Sequence, residues 1–179
     1  MSEPYVLNLR DVDRRAGSTR EFAMVVSVPE GFGNAVIGVP TGSELEIEGR
    51  LESLHDGILV TAEILGELTG ECVRCLAPIE RDLRVAFQEL FAYSGASDFD
   101  YHIQGDDLDL EQVVRDTVVP SLPFQPVCQE DCEGLCPECG VRLLDHPGHH
   151  HEVPIDPRWA ALSGLVETEA EKSDEQLPE

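Results

Sequence analysis

"SELEIEGRLESLHDGILVTAEILGELTGEC", residues 43–72, decides the fold. Leu45, Ile47, Gly49 and Leu51 alternate with Glu44, Glu46, Glu48 and Arg50. A period of two belongs to a strand with one face buried and the other in water. After a break at "HDG", Ile58, Val60, Ala62 and Ile64 resume the alternation, and Asp56-Gly57 signals a hairpin turn between the two runs. "CVRCLAP" then interrupts, and "RDLRVAFQELF" continues with Leu83, Val85 and Phe87 on one face. Residues 43–91 therefore read as an antiparallel meander, wet on one side and buried on the other. Cys72 and Cys75 fall at a strand end, in the turn between two of its strands.

The flanks are less regular. Residues 1–42 hold strand-like pieces in loop; "EFAMVVSVP" predicts a strand stopped by Pro29, and "PEGFGNAVIGVPTGS" predicts loop around a short apolar run. "AYSGASDFDYHIQGDD", residues 92–107, reads as polar loop. In "DLEQVVRDTVVP", Leu110, Val113, Val114, Thr117 and Val118 recur at helical spacing, Asp109 with Gln112 resembles a capping box, and Pro120 ends the segment. A short helix over 109–119 follows. "DPRWAALSGLV" predicts a second one, with Asp156 as N-cap, Pro157 at its first position and Trp159, Leu162 and Val166 as its stripe. The expected class is α+β: an antiparallel β-meander with one or two short helices and a C-terminal cysteine-rich zinc-knuckle segment. Residues 1–166 read as a single β-rich domain that includes the cysteine-rich segment 128–151, and residues 167–179 as a disordered acidic tail.

A chain of 179 residues can bury a real core, and with 6% aromatics that core is mostly aliphatic. No apolar run reaches the roughly 18–20 residues needed to cross a bilayer. The N-terminal residues carry no pattern of charge followed by an apolar stretch, so a cytoplasmic protein with no membrane association is expected. The net charge is −24, with 36 acidic against 12 basic residues. Such a field repels phosphate backbones, which disfavours direct nucleic-acid binding and favours basic partners. Arg10, Arg14, Arg15 and Arg20 cluster near the N-terminus, and Arg74, Arg81 and Arg84 surround the first cysteine pair. The simplest expectation is that they pair with the many carboxylates.

The six cysteines form two groups: Cys72-x2-Cys75, and Cys128-x3-Cys132-x3-Cys136-x2-Cys139. In a chain without an export signal they read as thiols or metal ligands rather than disulfides. A two-residue gap lets both sulfurs of a tight turn face one ion, and the Pro after Cys136 and Gly after Cys139 suit a zinc knuckle. Two knuckles brought together make a closed site of four thiolates, which is structural rather than catalytic. The natural pairing is "CVRC" with "CPEC", giving Cys72, Cys75, Cys136 and Cys139 as ligands of one structural zinc. Two alternatives stay open: Cys136 and Cys139 with two of His146, His149, His150 and His151, or Cys128 and Cys132 with Cys136 and Cys139. The plain alternative is a set of free buried thiols beside a solvated histidine run.

Catalytic readings find less support. Cys132-x3-Cys136-x2-Cys139 matches the spacing that holds an iron–sulfur cluster in radical enzymes, but that chemistry belongs to a large β/α barrel. A redox dithiol at "CPEC" would want a βαβ context that the chain lacks. There is no G-x-S-x-G, no Walker A loop and no dinucleotide glycine fingerprint. Asp98, Asp100, Asp106 and Asp107 read as solvated surface, and His55 and His102 as isolated residues.

Three pieces together resemble the YceD family of large ribosomal RNA subunit accumulation proteins: "GELTGECVRCLAPIERDLRVAFQELF", "DLDLEQVVRDTVVPSLPFQPVCQEDCEGLCPECG" and "DPRWAALSGL". They cover most of residues 66–165 in the family's order, and "C-x-E-D-C-x-G-L-C-P-x-C-G" is the most specific. The resemblance implies a cytoplasmic, non-catalytic accessory factor in ribosome biogenesis that supports accumulation of 23S rRNA. It supplies no catalytic residue. Many relatives carry further cysteines after "CPECG"; here "HPGHHHE" stands there, so His149 or His151 could replace a thiolate. The charge adds an expected partner, a basic ribosomal protein or an rRNA-processing factor. The competing functional classes are a thiol- or zinc-dependent enzyme and a direct rRNA-binding protein.

Overall fold

The alternation around residue 50 is realised as three long antiparallel strands in the computed structural model, which describes residues 5–13, 15–93, 99–151 and 158. Strands β1 (Val6–Asn8), β2 (Thr19–Ser27), β3 (Ile37–Gly38), β4 (Glu44–Ser53), β5 (Gly57–Glu71), β6 (Pro78–Ala92), β7 (Tyr101–His102) and β8 (Asp107–Asp109) are followed by helix α1 (Glu111–Ser121) and a 3-10 turn at Leu143–Asp145. The sheet runs β2-β4-β5-β6-β7, with β3 beside the far end of β5. All its pairings are antiparallel except β6 with β7. The described residues are thus mostly β-sheet with one α-helix, an arrangement compatible with the α+β class. The chain divides into two units, Met1–Leu135 and Cys136–Glu179, and all the strands and α1 belong to the first.

The period-two reading holds along the three strands, with Val85 and Gly49 only half-buried. Leu45, Ile47 and Leu51 of β4 are buried with Ile58, Val60, Ala62 and Ile64 of β5 and Leu83 and Phe87 of β6. Glu44, Glu46 and Glu48 point to water. Helix α1 packs against β6 and buries Val113, Val114 and Val118. Each such side chain contributes roughly 1.5–3 kcal/mol by leaving water.

Several local expectations are refined. The β4–β5 hairpin forms, but His55 and Asp56 are its central residues, closed by Leu54 N donating to Gly57 O at 2.8 Å. Gly57 serves instead as a close-approach point: a Cβ there would lie 2.2 Å from Phe91 O. The helix lies over Glu111–Ser121 rather than 109–119. Asp109 belongs to β8, and its Oδ1 accepts from Glu111 N at 2.9 Å instead of forming the capping box with Gln112. Pro120 is accommodated in the last turn, where only one backbone bond is forfeited. Residues 92–107 are not all loop: Tyr101 and His102 pair with Phe91 and Ala92, and Asp107–Asp109 pair with Val6–Asn8. Strands of two or three residues show no period of their own. The helix expected over 156–166 and the tail 167–179 lie outside the described residues, apart from Arg158.

Candidate metal centres

The β5–β6 connection is a thiol-bearing knuckle. Cys72 N donates to Ala77 O at 2.8 Å and Leu76 N to Cys72 O at 2.9 Å. Leu76 closes the turn at a φ of 57°, a left-handed conformation that more often takes glycine. The chain leaving α1 is laid across this knuckle by hydrogen bonds to its carbonyls. Val73 N donates to Pro126 O at 3.0 Å, and Arg74 Nη1 donates to the carbonyls of Glu130 and Cys132 at 3.3 and 3.0 Å. The Arg81 guanidinium donates to Val127 O. Cys128 and Cys132 thereby join Cys72 and Cys75, and the four sulfurs all lie within 4.8 Å of one another.

The separations test what the group fits. Cys72 and Cys132 sulfurs are 3.8 Å apart and Cys75 and Cys128 sulfurs 3.6 Å. A disulfide would need about 2.05 Å. Four thiolates each about 2.3 Å from one ion stand about 3.8 Å apart along the edges of a tetrahedron. A polynuclear cluster would spread its ligands further, because the metal–metal separation adds to the edges. The group therefore fits one tetrahedral ion, with Cys72, Cys75 and Cys132 buried and Cys128 half-buried.

Its electrostatics are uneven. Burial pushes the Cys72 thiol up, but backbone hydrogen bonds at Cys75, Cys128 and Arg74 outweigh it and hold the pKa at about 6. Burial, reinforced by the neighbouring thiols, raises Cys128 to about 12; burial also raises Cys132, against the lowering effect of hydrogen bonds from Gly134 and Cys128. Within the group, Cys72 is thus shifted toward the thiolate while Cys128 and Cys132 are shifted away from it.

The second C-x2-C turn repeats the first bond for bond. Cys136 N donates to Val141 O and Gly140 N to Cys136 O, both at 2.8 Å, and Gly140 takes the left-handed position at a φ of 71°. Backbone hydrogen bonds at Cys139 and Glu138 lower the Cys136 pKa. Its companions are imidazoles. Cys139 Sγ is 3.2 Å from His149 Nε2, which is 3.0 Å from His151 Nε2. These four ligand atoms too lie within 4.8 Å of one another.

Each knuckle lies with candidate ligands of its own unit, whereas the spacing argument pairs "CVRC" with "CPEC". Cys72 and Cys75 are met by Cys128 and Cys132; Cys136 and Cys139 are met by His149 and His151. A knuckle supplies two vertices and is indifferent to which pair provides the others, so spacing alone could not choose. The set Cys72, Cys75, Cys128 and Cys132 was beyond the spacing argument, since a three-residue gap looks unlike a knuckle. A signal was present in the count: six thiols and the alternating His149 and His151 make eight ligands, enough for two tetrahedra.

The arginines divide. Arg84 makes the expected carboxylate pair, at 2.6 and 2.9 Å from the two oxygens of Glu63, and Arg10 lies 3.6 Å from Asp106. Arg74 and Arg81 instead brace the cysteine-bearing segment through its carbonyls. Asp107 accepts from Asn8 Nδ2 at 2.8 Å. His55, His102 and Asp100 are exposed, and Asp98 and Arg14 lie outside the described residues. Among the described residues no helix is long and apolar enough to cross a membrane.

The family model described as large ribosomal RNA subunit accumulation protein YceD matches residues 60–166. Uncharacterized protein Rv2926c of Mycobacterium tuberculosis is 38% identical over 178 residues, 96% of this chain and 86% of the relative. Uncharacterized protein ML1660 of Mycobacterium leprae is 32% identical over 179 residues, 96% of this chain and 82% of the relative. Uncharacterized protein YlbN of Bacillus subtilis is 26% identical over 134 residues, 72% of this chain and 78% of the relative. No solved structure matches the chain.

Proposed function

The chain belongs to the YceD family of large ribosomal RNA subunit accumulation proteins, and on that basis we propose that it is a non-catalytic accessory factor supporting 23S rRNA accumulation, built around a structural zinc. The observation that carries the structural part is the four-sulfur group of Cys72, Cys75, Cys128 and Cys132, with edges of 3.6 and 3.8 Å. Four thiolates complete a tetrahedron and leave no vertex for water or substrate, which is the mark of a structural rather than a catalytic zinc. When bound, the ion supplies a cross-link. The chain's own residues hold the β5–β6 knuckle and the segment after α1 in register for it, chiefly through Arg74, Arg81 and the amide of Val73.

The proposed partner is a basic ribosomal protein or an rRNA-processing factor. The overall charge supports this rather than any one trough of the sheet: Glu21 stands opposite Arg50 and Glu63 is paired with Arg84, so local charges there largely balance. A chain with a net charge of −24 attracts cationic protein surfaces and repels phosphate.

The test is the ratio of 23S to 16S rRNA in a deletion strain, with affinity capture from extract at low and high salt, with and without RNase. A lowered ratio, restored by the intact gene, and RNase-resistant, salt-sensitive capture of basic proteins are expected. An unchanged ratio would remove the ribosomal reading. RNase-sensitive capture of rRNA would keep the pathway and overturn the partner.

A further inference from the structure

Unit 2 raises its own physical question. Among its described residues only Cys136 is buried, so the segment from Cys136 to His151 has no apolar core to hold it. Yet its chain is tightly organised. The 3-10 turn at Leu143–Asp145 is followed by His146 N donating to Leu143 O at 3.1 Å and His149 N donating to His146 O at 3.1 Å. Gly148, at a φ of 81°, reverses the chain between them. His149 and His151 then point one way, while His150 Nδ1 turns to Gly148 O at 3.0 Å. This period of two selects two of the four clustered histidines.

We propose that Cys136, Cys139, His149 and His151 form a second zinc site, filled independently of the four-cysteine group, and that this ion is what folds the segment from Cys136 to His151. This goes beyond the single structural zinc of the functional reading and does not depend on the ribosomal role. For zinc with sulfur about 2.3 Å and nitrogen about 2.05 Å away, tetrahedral edges are about 3.6 Å for S–N and about 3.3 Å for N–N. The observed 3.2 and 3.0 Å are shorter than those edges by about 0.3–0.4 Å, so a small outward adjustment of the side chains seats the ion. Both histidines offer the same atom, Nε2, and their rings stand edge to face at 83°, so the two atoms converge without stacking. The opposite nitrogen of His151, Nδ1, lies 3.5 Å from Glu138 Oε2. A carboxylate on the far side of a ligand imidazole fixes the ring and leaves Nε2 as the donor to metal.

Two thiolates and two imidazoles neutralise Zn²⁺ and fill its coordination, so this site too is structural. It differs from the first in accessibility. Cys139 is exposed and the His151 side chain keeps 34% of its surface in solvent, so a chelator can reach this ion. The four-cysteine ion sits behind three buried sulfurs.

The test uses the full chain, produced with zinc and kept reduced, with native mass spectrometry to count ions and X-ray absorption to read their ligands. Two zinc ions per chain are expected, with an average shell of three sulfurs and one nitrogen. The double variant His149→Ala/His151→Ala should hold one zinc with an all-sulfur shell and an unchanged β-sheet circular dichroism signal. Cys136→Ser/Cys139→Ser should also hold one. In the unmodified chain a colorimetric chelator should remove one equivalent at least tenfold faster than the other. A single zinc that both double variants retain would overturn the proposal and make the histidine pair a hydrogen-bonded turn. A single zinc lost from Cys75→Ser and from Cys139→Ser alike would overturn it in favour of the pairing of the two knuckles. Iron in place of zinc would overturn it as well.

Discussion

Removing the ion from the four-cysteine group should destabilise unit 1 by an amount the chain separation sets. The proposed ion would join Cys75 to Cys128, 53 residues apart. Treated as a cross-link, closing a loop of that length removes about 14 cal/mol/K of entropy from the unfolded chain, or about 4 kcal/mol at room temperature. For a unit of this size each kcal/mol moves the melting temperature by about 3–5 °C, so the loss should be about 12–20 °C. The assay is thermal melting followed by circular dichroism in the β-sheet band, which reports unit 1 because every described strand lies there. The unmodified chain is compared with and without a strong chelator under reducing conditions. Cys75→Ser should melt where the chelated protein melts and should no longer respond to chelator. Cys132→Ser should behave the same way, whereas His149→Ala/His151→Ala should keep the chelator response of unit 1. A shift below about 3 °C on chelation would refute the reasoning, and so would a Cys75→Ser variant that still loses stability when chelated.

Two further outcomes follow from the braces around this group. Arg74→Ala removes two bonds to the carbonyls of Glu130 and Cys132, and because Arg74 is exposed its stability cost should be only about 1 kcal/mol. Its clearer signature should be faster zinc transfer to a chelator, and an unchanged rate would show that the segment holds its place without this residue. Gly57→Ala would drive a methyl group to 2.2 Å from Phe91 O, so it should lower stability by about 1–3 kcal/mol in urea titration although the site lies far along β5 from the cysteines. A neutral result there would mean that the end of the β5–β6 ladder opens without cost.

The central sheet could be read from residues 43–91 because its signal is local. Each of Leu45, Ile47, Leu51, Ile58, Val60 and Ile64 carries its burial in its own sequence position, and a period of two survives whatever packs against the face. The apolar spacing of α1 is legible for the same reason, with a two-residue offset because Asp109 is taken by β8 and Pro120 fits the last turn. The pairing of Val6–Asn8 with Asp107–Asp109 was not legible: three residues show no period, and the partners are a hundred positions apart. The metal chemistry divides along the same line. Residue types and the two C-x2-C gaps announce knuckles, since two sulfurs on one tight turn is a local property. Which pair completes each knuckle depends on where distant main-chain carbonyls bring the chain. Arg74 and Val73 meet the segment 126–132 across the fold, and those bonds set Cys128 and Cys132 beside Cys72 and Cys75. A ligand set spread over 60 residues is a fact of tertiary geometry, and no spacing rule written along the chain contains it.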